Sequence, residues 1–196
     1  MKVSTKQITE TVAPLAEPVD LQEMKSHLGV TGADSDALIS AQIIAVRQWA
    51  ESYLQQSLVQ RTYRADLWGF ADLMELPLPP LASVTSVKYY NTDSPEVLTT
   101  LAATNYKVDV NIGVIYRAYG QTWPAVAYRH DAVQITYVTG YAADGTDYAG
   151  NVPECIKAAT KLVVGDLFEN RESKIVAVSH SVNPTAKMLL DLEREY

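Results

Sequence analysis

At 196 residues, 47% apolar and 20% charged, the chain can form one domain with a real core or a small domain carrying an insertion, and it is too apolar to stay disordered. Acidic residues outnumber basic ones by 23 to 16, a formal charge of −7 that argues against tight sequence-independent binding to nucleic-acid phosphates. The single cysteine, Cys155, excludes an intrachain disulfide, and with three scattered histidines it removes the usual zinc sets; a reducing compartment fits this composition.

Residues 1–18 carry Lys2 and Lys6 but no apolar signal region, and no later segment approaches a membrane span, so neither standard export nor embedding is expected. Rich in Thr, Ala and Pro, they read as a flexible N-terminal arm. A first helix is expected near Asp20, which has capping-box spacing to Glu23, with Leu21, Met24 and Leu28 on one face and an end at Gly29 or Gly32. The second helix has the strongest periodicity. Leu38, Ile39, Gln42, Ile43, Val46, Trp49, Ala50, Tyr53 and Leu54 make it the expected central core helix.

From Val59 the period changes towards two. Residues 61–68 alternate Tyr63, Ala65 and Leu67 with Arg64, Asp66 and Trp68, the pattern of a half-exposed antiparallel strand. Pro77, Pro79 and Pro80 bar residues 76–81 from a central strand, so they read as an extended edge or a connection. Residues 84–91 are the next strand, 91–95 a turn, and residues 106–110 and 114–118 a hairpin closed by Asn111, Ile112 and Gly113. Residues 132–139 alternate cleanly as the last strand. Ten of the twelve tyrosines fall between Tyr63 and Tyr148, as sheet-rich sequence predicts.

Pro153 suits the first turn of a third helix, whose face is Ile156, Ala159, Val163 and Leu167. A short extended piece, residues 174–181, precedes Asn183 and Pro184, which cap a final helix of about twelve residues carrying Met188, Leu189, Leu192 and Tyr196. An isolated helix that short is marginal in water, so its stripe needs its own core, a second subunit or another protein. The fold class is therefore α+β: a helical module of three to four helices, residues 19–58 and 152–172, with an antiparallel β subdomain inserted at 59–151 and a docking segment at 173–196.

Little in this layout is arranged for chemistry. Asp144, Gly145, Thr146 and Asp147 lack the ligand series of a calcium loop and read as a solvated turn. His27, His130 and His180 have no Ser, Cys or paired-carboxylate partner at a defined spacing, so no catalytic set assembles. Cys155 at a helix start reads as a small buried hydrophobe, and Trp123 with Pro124 as a strand connection. No glycine-rich phosphate loop is present. Catalytic, cofactor and metal residues are accordingly expected to be none.

A resemblance rests on an ordered set of residues. It comprises Leu21, Met24, Lys25 and Leu28; Asp36, Leu38 and Ile39; Ala45, Arg47 and Glu51; Leu76, Pro77, Pro80 and Leu81; Val84, Val87 and Tyr89; Trp123 and Pro124; Val133 to Tyr137 with Gly140 and Tyr141; Val152 and Pro153 leading to Glu169, Arg171 and Glu172; and Leu189, Leu190 and Arg194. Over residues 19–194 this order resembles the head-to-tail connector (adaptor, or head completion) family of tailed bacteriophages and prophages. The family often has an Arg after the first helix where this chain has Gly29.

The resemblance implies a structural, non-enzymatic protein of the virion neck, made in the host bacterial cytoplasm. It would form a homo-oligomeric ring, commonly of twelve copies, under the portal protein, and join the DNA-filled capsid to the next neck or tail protein. It implies Met188, Leu189, Leu192 and Tyr196 as candidate portal-docking residues. Arg47, Glu51, Arg171 and Glu172 are the candidate subunit-interface residues, suited to a head-to-tail contact that closes by rotation. Genomic DNA would pass without specific binding through a lumen lined mainly by acidic or neutral residues. Two other classes remain open on the residues alone: a monomeric binding module using an exposed aromatic face of the β subdomain, and a hydrolase with converging carboxylates.

Overall fold

The computed structural model describes residues 7–141, 151–170 and 183–194. It is α+β, with four α-helices and two antiparallel sheets among those residues. The chain divides into two units, Met1–Pro14 with Gln60–Tyr141, and Leu15–Val59 with Ala142–Tyr196.

The first unit holds the strands: β1 (Gln7–Val12), β2 (Arg61–Leu67), β3 (Leu73–Glu75), β4 (Leu81–Tyr90), β5 (Leu98–Thr100), β6 (Tyr106–Asp109), β7 (Val114–Arg117) and β8 (Val133–Thr139). Five form one sheet in the order β1-β2-β8-β4-β5, and three form another in the order β3-β7-β6. β8 is central because its alternation is complete: Val133, Ile135 and Tyr137 are fully buried. Its register sets Leu67, Ala65 and Tyr63 of β2 opposite those three residues, so both strands turn their apolar set to one face.

β4 reaches the same face with a different spacing. Leu81, Val84 and Val87 lie three residues apart, yet they oppose Thr139, Tyr137 and Ile135 of β8, which are two apart. Register shifts between Leu81 and Ser83 and between Val84 and Ser86 supply the difference, since each bulge adds one residue to β4 only. In the smaller sheet Met74, Ile115 and Val108 align across three strands, with Met74 and Ile115 fully buried. The β6–β7 loop closes through Gly113 at φ 66°, a conformation open to glycine, and through the Asp109 carboxylate accepting from the Asn111 amide at 3.0 Å.

The expected flexible arm is in part a strand. Residues 7–12 pair antiparallel with β2, because an uncovered edge presents a row of backbone donors and acceptors that any extended segment can satisfy. Residues 1–6 lie outside the described residues. So do the extended piece expected at 174–181, the turn expected at 144–147, and His180.

The second unit holds α1 (Leu21–Leu28), α2 (Asp36–Leu54), α3 (Glu154–Glu169) and α4 (Pro184–Asp191). The Asp20 carboxylate accepts from the Glu23 amide at 2.7 Å and starts α1, but Glu23 does not return the favour of a capping box; its carboxylate pairs with Lys161 of α3 at 2.6 Å. At the other end Gly29, φ 67°, allows Val30 N to reach Lys25 O at 3.0 Å, the closing bond of a left-handed cap. A side chain at position 29 would meet no neighbour, but it would strain the backbone there.

Val19, Met24, Ile39, Ile43, Val46 and Val164 form a buried cluster, with Trp49, Val163 and Phe168 packed against it. The buried stripe of α3 is Ile156, Ala159, Thr160 and Val164, rotated from the expected Val163 and Leu167; Leu167 is exposed. Thr160 can take an interior place because its hydroxyl donates to Ile156 O within the helix at 2.9 Å. Leu38 of α2 is exposed, while Arg47 occupies the buried stripe.

Candidate docking and subunit-contact surfaces

Arg47 lies at i+4 from Ile43 and i+8 from Ile39, so helical geometry sends its side chain into the interior of the helical unit. It is 4% exposed. Its Nε donates to the Glu17 carboxylate at 2.5 Å and its Nη1 to Glu51 at 2.8 Å. The second Glu51 oxygen accepts from the Leu58 amide at 3.0 Å. This cluster joins the segment before α1, the middle of α2 and the segment after α2 within one subunit. Arg47 is thereby engaged inside the unit, where the sequence reading places it at a contact between subunits. Arg171 and Glu172 lie outside the described residues.

The final helix has two different faces. Asn183 caps it by accepting from the amides of Thr185 and Ala186 at 3.0 and 3.3 Å, and Pro184 stands in the first turn, where its missing N–H leaves nothing unpaired. Ala186 and Leu190 are fully buried. Met188 and Leu192, one turn apart, are 61% and 71% exposed, and Leu189 is half-buried between the two faces. Tyr196 lies outside the described residues.

Polar side chains pin α4 to the rest of its unit, and sequence spacing signalled none of them. The Tyr53 hydroxyl donates to Asp191 at 2.5 Å, Gln56 Nε2 donates to Glu193 O at 3.1 Å, and Asn183 Nδ2 donates to Asp166 at 2.8 Å. Lys187 and Arg194 stand over the Tyr53 ring, 5.8 and 5.1 Å from its centre. Donation to the Asp191 carboxylate holds the Tyr53 phenol above its ordinary pKa, because losing the proton would put two anions together. The Cys155 thiol donates to Glu193 Oε1 at 3.2 Å; burial raises its pKa first and the neighbouring carboxylate adds to that, both favouring the protonated form.

In the sheet unit Trp68 and Tyr128 form an exposed aromatic pair, 5.8 Å between centres, with His130 edge-on to Trp68 at 6.4 Å. Arg129 lies 3.6 Å over the Tyr90 ring and grips Asp131 with two bonds of 2.6 and 2.9 Å, which lowers the Asp131 pKa. Trp123 stacks on Phe70 at 4.6 Å within 4° of parallel, so its ring faces the unit's own core.

Among the described residues no three His, Cys, Asp or Glu side chains converge on a possible metal position, and no helix is long and apolar enough to cross a membrane.

A family model described as phage gp6-like head-tail connector protein matches residues 18–113, from the start of α1 through the β6–β7 loop. No curated protein matches the chain. Among solved structures, a chain from the neck of an empty gene transfer agent particle computed with C6 symmetry superposes with a TM-score of 0.75 at 22% identity, covering 97% of this chain and 96% of that one. A chain from the virion of the native gene transfer agent particle gives 0.75 at 21% identity, covering 97% and 96%. One from the neck of the native particle computed with C12 symmetry gives 0.64 at 22%, covering 93% and 94%. These likenesses establish a shared fold over nearly the whole chain. Over residues 18–113 the chain is similar to the phage head-tail connector family, and over nearly its whole length it shares the fold of gene transfer agent neck chains.

Proposed function

We propose that this chain joins head to tail as a closed ring of twelve copies in the virion neck, seated under the portal protein through α4 and offering its other end to the next neck or tail protein. The observation that carries the docking is the split of α4. Ala186 and Leu190 anchor the helix in its own unit, while Met188 and Leu192 project an apolar pair that the described residues leave uncovered. An anchored helix with an uncovered apolar turn is preorganised for docking, since little ordering remains to be done on binding. Leu189 borders that pair, and Tyr196 completes the proposed docking set. Arg171 and Glu172 remain the proposed charges at the subunit contact, with Glu51 secondary because Arg47 already engages it.

The ring reading draws on the family match and on the C12 symmetry computed for the neck of the similar gene transfer agent particle. The family match points to a structural rather than a catalytic role. The formal charge of −7 suits a lumen through which DNA passes without adhering. Met188→Asp with Leu192→Asp is the direct test. Portal binding measured by co-sedimentation should fall at least tenfold while circular dichroism stays unchanged; undiminished binding by a folded variant sinks the docking assignment.

One observation favours a second reading. The exposed Trp68 and Tyr128 rings form the aromatic face that a monomeric binding module of the sheet unit would use. Native mass measurement with and without portal separates the two, because a module that never assembles stays at single-chain mass.

A further inference from the structure

The segment before α1 has properties that a lone subunit does not use. Five of the six residues of β1 are exposed and the sixth is half-buried, so the strand adds almost no apolar burial to its sheet. It is held by its backbone ladder to β2, by the Thr11 hydroxyl donating to Thr62 O at 3.0 Å, and by Arg61 with Glu10 at 3.3 Å. Every one of these bonds would form equally well with β2 of an identical neighbour.

The chain after β1 is built like a hinge. Residues 13–16 contain Pro14 and the 77% exposed Leu15, and they end where Glu17 is fixed by Arg47 and Val19 is fully buried. Four extended residues span only about 13 Å. A short hinge between an anchored end and a lightly held strand is the arrangement that favours exchange between copies. Ile8, Val12 and Leu15 are all exposed apolar residues on this one segment, a pattern accounted for if the segment lies between two subunits.

We propose that Gln7–Val12 is an exchange strand: in the ring each copy adds β1 to the β2 edge of the next copy instead of its own. The proposal rests on the ring reading above. It supplies the head-to-tail contact such a ring needs, since the donating and accepting surfaces differ and each copy carries both. A backbone ladder adds attraction without adding charge, which works against the repulsion between subunits of formal charge −7, and the Glu10–Arg61 pair adds complementary charge at the junction.

The test uses the full chain with Cys155→Ser as background and Val12→Cys plus Thr62→Cys, which face each other in the β1–β2 register. Rings assembled on portal are oxidised and run on a denaturing gel, while native mass of the unoxidised sample reports whether rings formed. Exchange predicts covalent multimers from rings and a single-chain internal crosslink from unassembled protein. Ring mass with only single-chain bands overturns the exchange and leaves the ring standing. Absence of ring mass for the unsubstituted chain overturns the ring reading and the exchange with it. Thr9→Cys with Arg64→Cys is the second pair if the first does not assemble, and the same two gel patterns decide it.

Discussion

The two units are held together by different means. In the sheet unit the ladders through β8 do the joining; its two-bonded ion pairs, Arg64 with Asp66 and Arg129 with Asp131, are local, and the single bonds of Arg129 to Glu96 and Arg61 to Glu10 only supplement the ladders. In the helical unit no ladder runs between helices, so side chains do that work over long sequence distances. Arg47 reaches Glu17, Lys161 reaches Glu23, Tyr53 reaches Asp191 and Gln56 reaches Glu193. Single side-chain changes should therefore act differently in the two units: a polar deletion should loosen the helical unit far more than the sheet.

The largest effects test the buried groups of each unit. Arg47→Ala should cost about 3 kcal/mol in urea unfolding, because it leaves Glu51 and Glu17 without their cation in a mostly buried site. Ile135→Ala should cost about 3 kcal/mol as well, but through a cavity at the centre of β8, and its loss should appear in the sheet unit's amide exchange. Equal losses of helical and sheet protection in both variants would erase the distinction between the units.

Tyr53→Phe comes next. Amide protection should drop along α4 and stay unchanged in β8, as read by hydrogen exchange, because the hydroxyl bond to Asp191 belongs to the helical unit alone. Asp20→Ala should cost about 1 kcal/mol by removing the cap of α1. In the sheet unit Arg129→Ala should raise the Asp131 pKa in an NMR titration, since the guanidinium lowers it. The sign follows: a carboxyl depressed in the folded state stabilises above its unfolded pKa of about 3.9 and loses that contribution as pH falls through the folded value. The smallest effect is a gain. Gly165→Ala should stabilise α3 by about 0.5 kcal/mol, because the added Cβ would meet His27 and Leu28 at an ordinary 3.9 Å.

Local rules carried much of the fold. Asp20 and Gly29 bracket α1 as their cap chemistry requires, Asn183 and Pro184 open α4, and the alternation of residues 133–139 marks the central strand. The strand expected at residues 84–91 is there as β4, although its bulges, which place Leu81, Val84 and Val87 on one face, left no signal in the spacing. Gln7–Val12 looks like an arm because pairing with β2 depends on backbone rather than side chains. Arg47 on an apolar stripe was a readable sign of a buried carboxylate partner. Glu51, one turn away, was within reach of spacing arguments, whereas Glu17, thirty residues earlier, was not.

Sequence by itself determined the α+β class, the absence of a recognisable catalytic set, and the ordered residues that resemble a head-to-tail connector, because periodicity, caps and motif order are short-range properties. Tertiary structure alone decided which side of α4 is anchored and which is left to project, that Arg47 is consumed inside its subunit, and that the N-terminal segment carries a strand. Those outcomes depend on which distant groups arrive at the same place, and only folding settles that.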